Sequence, residues 1–239
     1  MGVSKVSDAL AARQGGAAPT YLDRRFDAQA RPVPDPGSTV IAHVTDPADN
    51  AALAAIPAAM RAAGLDHFWA WLPAPSYHMT LFDMLLHGAR GPRWSRDLDQ
   101  GMVGREADAV LTERLRGVSC QTAPRFRMAN RGLAVSPAGI GVTLEGETPA
   151  EDARLRALRD RLAALTGLSA RPGHADYRFH ITLAYLIEWP SPAEAEAADE
   201  ALAAAETAFL AAAPVFDLGP PEVCLFDDMC EFRPLFTLS

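Results

Sequence analysis

Two short segments of this sequence each place a histidine two residues before a threonine. The first segment reads HMTL from residue 78, and the second reads HITL from residue 180, 102 residues later. Both alternate polar and apolar residues, which is typical of a half-buried β-strand. Because side chains alternate between the two faces of a strand, the histidine and the threonine of each motif are predicted to share one face.

Two imidazoles and two hydroxyls around one point suit the cleavage of a phosphodiester. Histidine titrates near neutral pH, so one copy can be the general base while the other, protonated, is the general acid. Threonine hydroxyls can donate to the non-bridging oxygens of the phosphate. Acyl transfer fits less well, because no serine or cysteine nucleophile with its own base is apparent. The paired motifs therefore predict phosphodiester chemistry.

The helix signals before the two motifs repeat at the same distance. Asp46-Pro47 and Thr148-Pro149 each combine an N-cap residue with proline at the first helical position, and each lies 32 residues before a motif histidine. The sequence therefore indicates an internal duplication. We predict an α+β fold with two similar lobes, largely antiparallel sheets flanked by helices, and an active-site cleft between the lobes.

The predicted organisation has three parts. Residues 1–36 are polar and interrupted by glycine and proline, which predicts an arm lying over the surface. Residues 37–137 form the first lobe with the HMTL motif, and residues 138–239 form the second lobe with the HITL motif. The two lobes are expected to make one bilobal domain.

Both motifs match the H-x-[T/S]-hydrophobic pattern of the two-histidine (2H) phosphoesterase superfamily. Over roughly residues 35 to 239, the chain resembles an uncharacterised bacterial and fungal branch whose first motif is similar to SYHMTLFD. The resemblance implies metal-independent hydrolysis of a 2′,3′-cyclic phosphate or a related small phosphodiester, on a nucleotide or an RNA end, without a cofactor. It also implies that His78 and His180 are the acid/base pair and that Thr80 and Thr182 contact the phosphate.

Strict alternation adds weaker candidates beside the motifs. Ser76 and Phe82 fall on the face of His78, and Arg178 falls on the face of His180. All three are candidate substrate-binding residues, with Arg178 suited to phosphate and Phe82 to stacking on a base. Tyr185 falls on the opposite face, where we expect it to pack.

Charge and cysteine content limit the partners. The formal net charge of −8 has the wrong sign for holding long nucleic acid, whereas a small nucleotide or an RNA end remains compatible with it. The three cysteines, Cys120, Cys224 and Cys230, form no C-x-x-C pair, which favours free thiols in a reducing cytoplasm. No membrane span or anchor is predicted, and we expect a monomer.

Two other function classes remain open at this point. The same cleft could bind a cyclic nucleotide or a nucleotide end without turning it over, although a sensor does not need two titrating imidazoles. A metal hydrolase could use both histidines, but each H-x-T motif offers one ligand and lacks a neighbouring carboxylate at ligand spacing. The sequence favours the metal-free enzyme.

Overall fold

The computed structural model describes residues 5–13, 16–119 and 125–238. This part of the chain contains five α-helices: α1 (Val6–Ala11), α2 (Pro47–Ala62), α3 (Gly104–Leu115), α4 (Pro149–Thr166) and α5 (Pro192–Ala212). Among the described residues, no helix is long and apolar enough to cross a membrane.

The strands of the same part of the chain form one antiparallel sheet. They are β1 (Gly37–His43), β2 (Trp69–Trp71), β3 (His78–Leu86), β4 (Phe126–Ser136), β5 (Gly139–Gly146), β6 (His180–Leu186), β7 (Val215–Leu218), β8 (Glu222–Phe226) and β9 (Arg233–Thr237). Their order is β7-β4-β5-β6-β3-β1-β8-β9, and β2 adds to β6. Helices and a curled antiparallel sheet confirm the predicted α+β class.

The sheet order is symmetrical about the junction of β6 and β3. At this junction Met79 pairs with Ile181. The two residues are 102 positions apart, as the motif histidines are, so they occupy equivalent places in the repeat. A pseudo-twofold axis therefore passes through this pair and relates the half β7-β4-β5-β6 to the half β9-β8-β1-β3.

Strand pairing crosses the predicted boundary between residues 137 and 138. Strand β4 precedes that boundary but pairs with β5 and β7 of the second half. Strands β8 and β9 come last in the chain but extend the first half, because β8 pairs with β1. Each half of the sheet is thus completed by strands from the other segment.

The predicted starts of α2 and α4 are confirmed by their N-caps. The carboxylate of Asp46 accepts from the backbone N–H groups of Ala48 and Asp49 at the start of α2. The hydroxyl of Thr148 accepts from the backbone N–H of Glu151 at the start of α4. Helix α4 ends at Thr166 and is capped by Gly167, whose φ of 69° lies in the left-handed region that would strain any residue with a Cβ. These local signals fix where each helix begins and ends.

Candidate active site

The central strands bring both motifs to one cavity. Because Met79 pairs with Ile181 in an antiparallel register, His78 lies opposite Thr182, and Thr80 lies opposite His180. The side chains of Met79 and Ile181 are fully buried on the core side. The two histidines and two threonines line a cavity of about 760 Å³ on the other side.

Each motif strand contains a β-bulge at the leucine of its motif. Consecutive residues Val40 and Ile41 of β1 pair with Phe82 and Thr80, so Leu81 is the extra residue of β3. In the second half, Ile140 and Gly141 pair with Ala184 and Thr182, so Leu183 is the extra residue of β6. An extra residue shifts the alternation of all positions that follow it.

The bulges change which side chains reach the cavity. Asp83 and Tyr185 line it together with the histidines and threonines, although strict alternation placed Tyr185 on the opposite face. Phe82 is 1% exposed and does not line the cavity, which corrects its predicted place beside His78. The physical reason is the one-residue phase shift at Leu81.

Ser76 and Arg178 also differ from their predicted placement. The hydroxyl of Ser76 is turned back to the carbonyl of Pro73, 2.7 Å away, because Ser76 belongs to a 3₁₀ turn before β3. The side chain of Arg178 is exposed and does not line the cavity. Both residues instead contribute a backbone carbonyl to the site.

These two carbonyls fix the orientation of the histidines. His78 Nδ1 lies 2.7 Å from the carbonyl oxygen of Ser76, and His180 Nδ1 lies 2.9 Å from that of Arg178. A carbonyl oxygen can only accept, so each Nδ1 carries the hydrogen. The Nε2 atom of each ring is thereby free to exchange a proton with a substrate.

The surroundings of His78 favour its neutral form. Burial lowers the pKa of His78 to about 4, and repulsion from His43 and His180 adds to this, although the hydrogen bond to Ser76 opposes it. The ring of Phe232 packs against the imidazole with centroids 4.2 Å apart, which keeps water from that side. At neutral pH, Nε2 of His78 is therefore a proton acceptor.

A buried arginine supports Thr80 from helix α4. The guanidinium of Arg159 lies 3.7 Å from the ring centroid of Tyr177, and the phenol of Tyr177 shares a hydrogen bond with Thr80. Arg159 Nη1 also donates to the carbonyl oxygen of Leu81, 2.7 Å away. Burial raises the pKa of the Tyr177 phenol, so it stays protonated. The contacts tie the bulge and the threonine hydroxyl to the helix.

Several cavity residues come from segments that motif analysis did not single out. Phe226, Met229 and Phe232, near the end of the chain, form an apolar wall. Arg171, in the loop before β6, donates to the carbonyl oxygens of Asp83 and Met84, each 2.8 Å away. No periodic pattern in the sequence marks these positions, since each reaches the cavity through tertiary packing.

The N-terminal arm also reaches the cavity. Thr20, Tyr21, Arg24, Arg25 and Asp35 are among the lining residues. The local signal for this role is the pair of arginines that follows Tyr21 by three residues in YLDRR, within a segment otherwise interrupted by glycine and proline. The arm was predicted to lie over the surface, and here it forms part of the site.

The described residues contain neither a cluster of metal ligands nor an activated thiol. Within residues 5–13, 16–119 and 125–238, no three or more His, Cys, Asp or Glu side chains are grouped as metal ligands would be. Cys224 and Cys230 are free thiols, and burial raises the pKa of Cys224 to about 12 and that of Cys230 to about 11. Cys120 lies outside the described residues.

Two family models match this chain, and together they are consistent with the two-histidine phosphoesterase superfamily. Residues 25–138 match the family described as a domain of unknown function, DUF1868, with the short name 2H-phosphodiest. Residues 147–218 match the LigT-like phosphoesterase family. Each match contains one of the motifs. The two matches confirm the resemblance to the 2H superfamily and imply a phosphoesterase enzyme.

Solved structures are similar to this chain over most of its length. A conserved protein of unknown function, ATU0111 from Agrobacterium tumefaciens str. C58, has a TM-score of 0.88 and 28% identity, covering 99% of this chain and 100% of its own. TT0787 of Thermus thermophilus has a TM-score of 0.44 and 20% identity, covering 84% and 97%. Among curated proteins, none matches significantly.

Proposed function

We propose that this phosphoesterase hydrolyses a 2′,3′-cyclic phosphate, or a related small phosphodiester on a nucleotide or RNA end, by metal-independent general acid/base catalysis. The observation that carries the proposal is the placement of His78 and His180 in one cavity, each with its Nε2 atom left free by a carbonyl bound to Nδ1. Two such imidazoles can serve the entering and the leaving oxygen.

We assign the base to His78 and the acid to His180. Neutral His78 accepts a proton from the attacking water at Nε2, and the resulting hydroxide oxygen bonds to phosphorus. Protonated His180 gives its Nε2 proton to the ribose oxygen that leaves. The lowered pKa of His78 supports this assignment, because a base must be unprotonated before the reaction starts. The product is a nucleoside phosphomonoester.

The remaining cavity residues suit the other parts of such a substrate. The hydroxyls of Thr80 and Thr182 can donate to the non-bridging oxygens, where negative charge is held during the reaction. The apolar wall that contains Phe232 and Met229 offers a surface for the base or the ribose. In this proposal the apolar wall, and not Phe82, stacks on the base of the substrate.

The test is a substrate screen with the pure protein and its two single histidine variants. We expect the wild type to hydrolyse at least one of three probes: a 2′,3′-cyclic nucleotide, a cyclic-ended RNA oligomer or ADP-ribose cyclic phosphate. His78→Ala and His180→Ala should each lower kcat by about 10²- to 10⁴-fold, which is the usual contribution of one acid or base. Unchanged turnover in both variants would disprove the mechanism.

The same screen separates the enzyme from a binding module. Tight binding of a cyclic nucleotide without any product, measured by calorimetry and chromatography on the same samples, would favour the binding module instead. His87→Gln is a suitable control, because His87 pairs with Asp108 at 2.5 Å and is not among the residues lining the cavity. Its turnover should stay close to that of the wild type.

A further inference from the structure

The N-terminal arm is built into the wall of the cavity. Arg25 Nη1 donates to the phenol oxygen of Tyr185 on β6, 2.7 Å away, and Arg25 Nε lies 3.6 Å from the carboxylate of Asp35, just before β1. The ring of Phe26 stacks on that of Tyr185 with centroids 5.5 Å apart. Arg25 and Phe26 thereby hold the arm against β6, and the ion pair with Asp35 links this part of the arm to the residues just before β1.

The charge of the cavity exceeds what the proposed reaction needs. Four arginines and two aspartates line it, namely Arg24, Arg25, Arg93, Arg171, Asp35 and Asp83, which gives 4 − 2 = +2 in a chain of net charge −8. A cyclic phosphodiester carries a single negative charge and is already served by the histidines and threonines. The excess indicates a substrate with a second anionic group.

The arm supplies the most available of these charges. Arg24 is exposed, and in the part of the chain that the structure describes it has no carboxylate partner. Its guanidinium lies 5.9 Å from the ring centroid of Tyr21, and that of Arg25 lies 4.2 Å from the same centroid. By contrast, Arg31 of the arm pairs with Asp27 and does not line the cavity.

We infer that Arg24 and Arg25 bind a second phosphoryl group of the substrate, the 5′-phosphate of the nucleotide whose cyclic phosphate reacts. This inference rests on the proposed function. Tyr185, whose phenol oxygen accepts a hydrogen bond from Arg25, is three residues after Thr182. The Cα atoms of Tyr185 and Thr182 are therefore at most roughly 10 Å apart. The planar guanidinium fork matches phosphate oxygens in pairs. The 5′-phosphate can be a free monoester or the diester linkage of an RNA chain.

The test compares kcat/KM on three probes: adenosine 2′,3′-cyclic phosphate, its 5′-phosphorylated form, and the diadenosine dinucleotide with a 2′,3′-cyclic end. We expect the wild type to prefer one or both 5′-substituted probes by about 10- to 100-fold, as hydrogen bonds to charged groups allow. The better of these two probes identifies monoester or diester as the source. Equal turnover of all three would overturn the inference.

Variants then assign the preference to the arm. In Arg24→Gln and Arg25→Gln, the preference for the 5′-substituted probe should fall several-fold, while Arg31→Gln should keep it. Because Arg24 is exposed, its replacement leaves the packing of the arm in place. An equal loss on all probes in Arg24→Gln would contradict a second phosphate site.

Binding distinguishes failure of this inference from failure of the proposed function. If no probe is hydrolysed, the catalytic proposal fails. Binding of adenosine 3′,5′-bisphosphate and of adenosine 3′-monophosphate to the whole protein, measured by calorimetry, then tests the second phosphate site without reference to turnover. Tighter binding of the bisphosphate to the wild type, reduced about tenfold or more in Arg24→Gln, would support the second site. Equal affinity for the two ligands would overturn it.

Discussion

The rings of Phe232 and His78 pack edge to face, with centroids 4.2 Å apart. Phe232 lies between β8 and β9, at the end of the chain, whereas His78 begins the central strand β3. The contact helps to bury the imidazole, and burial is the main reason why the pKa of His78 is lowered to about 4. A residue remote in sequence therefore tunes the proposed base.

Replacing Phe232 by alanine should raise the pKa of His78 toward its ordinary value, because water would then solvate the protonated ring. The acidic limb of kcat/KM against pH, which reports the base of the free enzyme, should move to higher pH. Phe236→Ala is the matched control, since Phe236 packs against Arg116 and does not line the cavity. An unchanged acidic limb in Phe232→Ala would show that the ring does not set this pKa.

The stability of the fold should also depend on the protonation of His78. Its folded pKa, about 4, lies below the ordinary value of 6.5, so between these values the unfolded chain holds a proton that the folded chain lacks. This contribution to the free energy of unfolding is complete above pH 6.5 and is lost as pH falls to about 4, by at most roughly 3 kcal/mol.

Denaturant unfolding of the wild type and of His78→Gln between pH 7 and pH 4 measures this loss. In His78→Gln, the free energy of unfolding should depend less steeply on pH than in the wild type, because the contribution of His78 is gone. His67→Gln, which replaces an exposed histidine, should keep the wild-type dependence on pH. Identical slopes in the wild type and in His78→Gln would contradict the lowered pKa.

The contacts of Arg159 predict a positioning role for Tyr177. Tyr177→Phe removes the hydrogen bond to Thr80 but keeps the ring against the Arg159 guanidinium. We expect kcat to fall by about 2- to 10-fold with little change in KM, which corresponds to one ordinary hydrogen bond. In a Thr80→Val background the same replacement should have no further effect. If Tyr177→Phe lowers kcat by the same factor in the Thr80→Val background, Tyr177 acts through a group other than Thr80.

Arg159→Met should have a larger effect than Tyr177→Phe. It leaves the carbonyl oxygen of Leu81 without the guanidinium donor and removes the contact with Tyr177. Unfolding should become easier by about 1 to 3 kcal/mol, and kcat should fall as well. Lower stability with unchanged kcat would limit Arg159 to a structural role.

The two histidines should act as one unit. If both serve a single proton-transfer sequence, the double replacement of His78 and His180 by alanine should cost less than the product of the two single costs. Steady-state kcat of the two single variants and of the double variant, measured on one cyclic phosphate, tests this. Costs that multiply would indicate two independent contributions.

Chelation tests the metal-independent part of the proposal. Because the proposed steps use only proton transfer and hydroxyl donors, activity should survive exhaustive dialysis against EDTA. Loss of activity that one divalent ion restores would instead support a metal hydrolase.

The sequence by itself determined the features that depend on neighbouring residues. The N-caps at Asp46 and Thr148 predicted where α2 and α4 begin, because a cap needs only the side chain and the first turn of its own helix. The 102-residue repeat predicted the symmetry of the sheet. Alternation placed each motif histidine and threonine on one face, since no bulge lies between them.

Tertiary structure alone decided what lies beyond the bulges and around the motifs. The extra residues Leu81 and Leu183 are defined by pairing with β1 and β5, which no local pattern encodes, so the positions of Phe82 and Tyr185 could not be read from alternation. The same holds for the pairing of β4 and β8 with strands of the other half of the sheet. It also holds for the contact of Phe232 with His78 and for the place of the arm in the cavity wall. Each depends on contacts between residues far apart in the chain, and only the packed fold brings those residues together.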